Sequence, residues 1–216
     1  GLLSNSGELL SQSMLTLTSD TFRNSGNVLA VGQMLLSGNT LNNGGALQGD
    51  TLTLEQNSID NTGTMIGLKS LRLHDKGALN NSGKLLSQGA LTTTATDVIN
   101  SGSWQASTIT LTGNSLNNTG ALQSANSLQL TLEQSLTGAQ NSKITALGEM
   151  TLDAAALDNA GLWSASTVTL SGDSLKNSGE ISGVNGLDID LAGTLTQQGK
   201  LLTGGSLNIG TTALTN

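Results

Sequence analysis

The chain has 216 residues, 36% of them hydrophobic but only 1% aromatic and 11% charged, with 28 glycines, no proline and no cysteine. A net charge of −7 with only eight Lys and Arg makes nucleic acid and other polyanions poor partners, and the absence of cysteine excludes disulfides and thiol catalysis. No run approaches the roughly 18–20 apolar residues of a membrane helix, so no membrane insertion by this segment is expected.

Taken in chain order, the sequence says one thing eleven times. A glycine follows a short polar pair at Gly7, Gly26, Gly45, Gly63, Gly83, Gly102 and Gly120, is replaced by Ser142, and returns at Gly161, Gly179 and Gly199. The spacings are 19, 19, 18, 20, 19, 18, 22, 19, 18 and 20 residues. Two positions before this anchor stand Asn5, Asn24, Asn43, Asn61, Asn81, Asn100, Asn118, Asn159 and Asn177, with Gln140 and Gln197 counted in the same place. Two positions after it every unit is apolar, from Leu9 and Val28 through Trp104 and Trp163 to Leu201. A fixed period of this kind is the signature of a stacked repeat. No composition break interrupts it, so residues 1–216 are expected to form a single continuous domain. The pattern starts and stops within a unit, and the chain is expected to be an excised piece of a larger protein.

Inside each unit the period is two, as in "LTL" at 15–17, "LRL" at 71–73, "LQLTL" at 128–132 and "LDIDL" at 187–191. Alternation over so few residues predicts strands, because successive strand side chains point to opposite faces. Glycine and asparagine mark the bends, where left-handed or bulged backbone is expected. A unit of ~19 residues with three short strands buries its apolar face only by stacking on its neighbours. The expected fold is therefore all-β, a right-handed parallel β-helix of about eleven coils with three short strands each. Leu and Ile columns form its interior. The Asn column can bond along the axis as a ladder of amides, which offer both donors and acceptors, or each Asn can serve its own turn.

The series of "N-[ST]-G-x-L-x-S" units, as in "NSGELLS" (5–11) and "NSGKLLS" (81–87), followed by "L-x-L" and "L-x-N", resembles the haemagglutinin repeats. Those repeats belong to filamentous haemagglutinin and to the contact-dependent growth inhibition exoproteins of the CdiA type, and the resemblance covers the whole chain. It implies a right-handed β-helical shaft, secreted by a Gram-negative cell through an outer-membrane two-partner-secretion transporter and displayed at the surface. In the growth-inhibition members such a shaft presents a receptor-binding region and a toxin; in the haemagglutinin members it adheres to host cells. Here the expected function is a structural one, a rigid spacer rather than an enzyme, with any cell-surface receptor met by other segments. The alternative is an adhesive module that touches glycans or proteins directly. Its foothold is the irregular stretch Leu132–Ser142, where an outward loop would offer Gln134, Ser135 and Gln140.

Reactive groups are sparse, and no cofactor or metal site is expected. His74 and Asp75 adjoin in "RLHDK" and suggest a solvated corner, since a zinc site needs further converging ligands. Asp188 and Asp190 share an outer face beside Thr169, Asn208, Ser171 and Gly210, without the converging acids of a glycosidase. Trp104 and Trp163 fall in an interior column. Lys69, Arg72 and Lys76 read as surface charges.

Overall fold

Residues 1–216 are described by a computed structural model in which every regular element is a β-strand and every pairing is parallel. Each coil carries three strand segments. In one coil these are Ala46–Gly49, Thr51–Gln56 and Ser58–Asn61. They pair onward with Thr64–Gly67, Ser70–Asp75 and Ala78–Asn81 of the next coil. Most bends between the segments are so shallow that one strand runs through them, as in Ser103–Asn118 and Ala121–Gly138. The chain is a β-solenoid of about eleven turns, and at a coil rise of ~4.8 Å it is about 50 Å long.

Alternation decides which side chains enter. Leu47, Leu52, Leu54 and Ile59 are fully buried from one coil, and their register partners Met65, Leu71, Leu73 and Leu79 from the next. Four columns thus run the length of the rod, apolar except where Thr93 stands between Leu73 and Leu111, and 44 buried hydrophobic residues join in one cluster. Each buried aliphatic side chain contributes roughly 1.5–3 kcal/mol by leaving water. Trp104 and Trp163 stand in the first of these columns at 0% exposure, where other coils use Leu, Ile, Val or Met. On the last coil Leu207, Ile209 and Leu214 are exposed, having a neighbour on one side alone.

The third bend, at the repeated glycine, is the sharp one. Its backbone bonds to the coil before it: Ser101 and Gly102 both donate to the Asn81 carbonyl, at 2.8 and 3.1 Å, and Ser103 donates to Gly83 at 2.9 Å. Successive turns stack so closely that a Cβ on Gly102 would lie 2.1 Å from the Gly83 carbonyl oxygen. The requirement for glycine is therefore space. The left-handed backbone that the sequence suggests at these bends is confined to Asn141 (φ 68°), and the one glycine with positive φ, Gly172, lies outside the anchor series.

Candidate functional site

Asparagine side chains line the inner edge of the glycine turn. The amide Nδ2 of each donates to Oδ1 of the next: Asn5 to Asn24, Asn24 to Asn43 and Asn43 to Asn61 at 2.8 Å, Asn61 to Asn81 at 2.7 Å, and Asn81 to Asn100 to Asn118 at 2.8 Å. The same amides reach backbone at the bend, as Asn24 does to Gly26 and Ala46 oxygens at 3.1 and 3.2 Å. Ladder and turn support are thus one arrangement rather than two. A second run links Asn159 to Asn177 and Asn177 to Gln197, both at 2.9 Å.

Between the two runs the ladder is broken. Strand register pairs Asn118 with Gly138, and Gly138 with Asn159, so Gly138 occupies the place counted for Gln140. Counting back from Ser142 assigns Gln140 wrongly because the turn itself is widened to Ala139–Gln140–Asn141–Ser142. Ser142 donates its N–H to the Ala139 carbonyl at 3.0 Å, closing a β-turn with Asn141 in the left-handed region that Asn tolerates. The indole of Trp163 leans toward the missing rung: a Cβ on Gly138 would lie 3.0 Å from its Nε1. That N–H and the Ser142 hydroxyl are buried without partners.

The swelling of this coil is not one loop. One extra residue enters the bend at Ala125–Asn126, one forms a bulge at Glu133–Gln134, and two widen the glycine turn. Gln134 and Ser135 accordingly lie at a different corner from Gln140, with Ser135 in a strand between Ser115 and Ala156, and the structure does not bring the three together. Gln140 does border a groove of about 730 Å³ that continues over Lys143, Glu180 and Lys200. Lys200, exposed, and Glu180, half-buried, pair across it at 3.6 Å.

Other candidates fall into place by parity. His74 is exposed beside Glu55 and Thr94 of the flanking coils. Asp75, expected in a solvated corner, is instead 3% exposed. Alternation carries it inward: Leu71 and Leu73 point to the core, and Asp75 is next in the same phase. Its carboxylate accepts N–H bonds from Gly77 at 2.9 Å and Ile59 at 3.0 Å. Burial raises its pKa from the usual 3.8, and the two N–H donors counter this only in part. Asp188 and Asp190 are exposed on one strand, and their register neighbours are Thr169, Asn208, Ser171 and Gly210. Lys69 pairs with Asp50 at 2.7 Å, whereas Arg72 and Lys76 are exposed without an ion pair. No helix long and apolar enough to cross a membrane is present.

The haemagglutinin repeat family model matches residues 164–216. Over 191 residues, 88% of this chain, the sequence is 49% identical to the "tRNA nuclease CdiA" of Escherichia coli strain STEC_O31. It is 41% identical over 226 residues, spanning all of this chain, to the "16S rRNA endonuclease CdiA" of Enterobacter cloacae subsp. cloacae. It is 38% identical over 204 residues, 90% of this chain, to the "tRNA nuclease CdiA" of Escherichia coli strain NC101. The chain spans 6–7% of the length of these curated relatives. No solved structure matches it. Repeat, solenoid and relatives agree: the chain is a haemagglutinin-repeat segment of the filamentous haemagglutinin and CdiA type.

Proposed function

We propose that residues 1–216 form one continuous shaft segment of a large secreted bacterial surface exoprotein, a rigid spacer that holds distal receptor-binding or toxin modules away from the cell. The observation that carries this reading is the unbroken core, which passes from coil to coil with main-chain hydrogen bonds parallel to the axis. Bending such a rod breaks one or the other, so it holds its ends at a fixed distance. The Asn and Gly columns are structural in this reading, tying each turn to the last. The parent reaches the surface through an outer-membrane two-partner-secretion transporter, and a receptor is engaged by other segments. The nuclease names of the relatives describe those whole proteins; the exposed acids of this segment, Asp188 and Asp190, have only Thr, Ser, Asn and Gly beside them and support no catalysis.

One observation favours a second reading, direct adhesion: the groove bordered by Gln140 and Lys143 beside the widened turn. Both readings meet one experiment. The chain is labelled fluorescently, shown by circular dichroism to be β-folded, and offered to bacterial and epithelial cells. A passive shaft gives no saturable binding. Saturable binding that unlabelled chain displaces would overturn it in favour of adhesion, and loss of that binding in Lys143→Ala would locate the contact in the groove.

A further inference from the structure

Asp75 is buried to 3% exposure, and no other acid of the chain is buried. It takes no part in any of the three ion pairs, which use Asp50, Asp158 and Glu180. Lys76, its neighbour in sequence, is exposed. A buried carboxylate has about four lone-pair directions, and the N–H groups of Gly77 and Ile59 take up two. Its register partner on the preceding coil is Gln56, also 3% exposed. The Gln56 amide nitrogen donates to the Leu36 carbonyl at 3.2 Å, which leaves Oε1 buried with no donor. Turning the amide over would set Oε1 against that carbonyl, so the bond fixes which end is free.

Two acceptors thus lie in register on adjacent coils, and no cationic side chain pairs with the carboxylate. Both line one cavity of about 420 Å³ at the second bend, walled entirely by polar residues and glycine, with the Ser37 and Thr94 positions on its flanks and Glu55, His74 and the exposed Lys76 at its outer side. The same corner further along the rod is filled by Ala95, Gly113, Leu132 and Ala154 in register. The polar pair is therefore local to two coils and is not a general need of the fold.

We propose that this corner binds a divalent cation of the calcium class, with the Asp75 carboxylate and the Gln56 Oε1 as inner ligands and Glu55 at the mouth. Hard oxygen donors in an irregular arrangement suit calcium, whereas magnesium demands a near-octahedral shell and transition metals prefer several imidazoles or thiolates. No cluster of three or more His, Cys, Asp or Glu side chains converges in the molecule. With so few charged ligands the site belongs with the weak extracellular calcium sites, at a dissociation constant of about 10⁻⁴–10⁻³ M. A cation there would tie two successive coils together at the second bend, beside the short exposed ladder in which Asn57 donates to Asn39 and Asn39 to Asp20.

The test is calorimetric titration of the 216-residue chain with calcium chloride, and separately with magnesium chloride, at neutral pH, paired with thermal melts in about 10 mM calcium or in EDTA. Calcium raises the melting midpoint by roughly 3–6 °C, and Asp75→Asn removes the shift. Gln56→Glu, which adds a charged oxygen at the same place, tightens calcium binding tenfold or more. Asp188→Asn/Asp190→Asn leaves the response intact. The inference is overturned if the unaltered chain gives no calcium-dependent heat or shift. It is equally overturned if the response survives Asp75→Asn. Should Asp75→Asn fail to fold, Gln56→Glu still decides the matter.

Discussion

The turn at Asn100–Gly102 and the turn at Gly138–Ser142 perform the same task with different parts. At the first, a buried amide spans the bend and the glycine leaves room for the turn stacked on it. At the second, the amide is gone, the glycine position holds serine, and two further residues are accommodated. Yet the interior barely notices. Leu136 still stands between Leu116 and Leu157, and Ile144 between Leu122 and Trp163. The apolar columns hold the coils in register, and the polar bend adapts to them. Insertions are absorbed at corners because a shift of one residue within a strand would turn its whole apolar set outward.

The sharpest way to break the comparison is to place a methyl group at each glycine position. Gly102→Ala puts a Cβ 2.1 Å from the Gly83 carbonyl oxygen of the turn beneath, and the atoms it meets there are all backbone of Ser82 and Gly83, which cannot swing aside. A loss of about 3 kcal/mol or more is expected, beyond ordinary overpacking of a core. Ser142→Ala removes only an unpartnered hydroxyl from a turn already widened, and less than about 1 kcal/mol should change. Urea unfolding of the two variants side by side measures the difference; equal losses would show that the wide turn is as tightly stacked as the narrow ones.

A smaller effect is expected from the rungs. Asn100→Ala leaves the Asn81 amide with only its longer bond to the Gly83 carbonyl and the Asn118 oxygen without its Asn100 donor, a loss of about 1–3 kcal/mol for a buried group left unpaired. Restoring a rung in the gap is not the mirror image, because the Trp163 indole leans into that space. Gly138→Asn should destabilise the chain as it stands and should cost less in a Trp163→Leu background. A double-mutant cycle by thermal melting should return a coupling of about 1 kcal/mol. Zero coupling would mean that something other than the indole keeps position 138 bare.

Much of this was legible in the letters. Spacing near 19, alternation of two and the apolar columns lead to stacked parallel coils, and the column of Trp104 and Trp163 foretells their burial. What escaped was how extra residues distribute around a coil. A gap of 22 between Gly120 and Ser142 gives the total, but three bends share it, and only the strand register says how. A signal was present all the same. An apolar residue stands two before each asparagine, as in Leu79 and Asn81 or Val98 and Asn100, and Leu136 points in that way to Gly138 rather than Gln140. Asp75 was missed for a related reason. Its charge suggests the surface, whereas its phase after Leu71 and Leu73 places it inside, as the phase after Leu52 and Leu54 does for Gln56. Composition says which residues prefer water; strand phase decides where they go.

The smallest expected effect tests that buried acid directly. Burial raises the Asp75 pKa above 3.8, so the folded chain holds this proton more tightly than the unfolded chain does. The stability it contributes is complete below the unfolded value and is lost as pH rises through the folded one. Asp75→Asn, neutral at every pH, keeps one acceptor for the Gly77 and Ile59 N–H groups and should carry no such dependence. In EDTA the variant should therefore gain on the parent chain as pH rises from about 3, with the difference levelling once the folded carboxyl has ionised. Melting midpoints of both proteins across the acid range measure it. A variant that loses ground with rising pH would mean that the two backbone donors outweigh burial and hold the carboxylate as an anion. Calcium gives the comparison its last edge: a cation between Asp75 and Gln56 favours the ionised carboxyl, so adding it at neutral pH should narrow or reverse the variant's advantage.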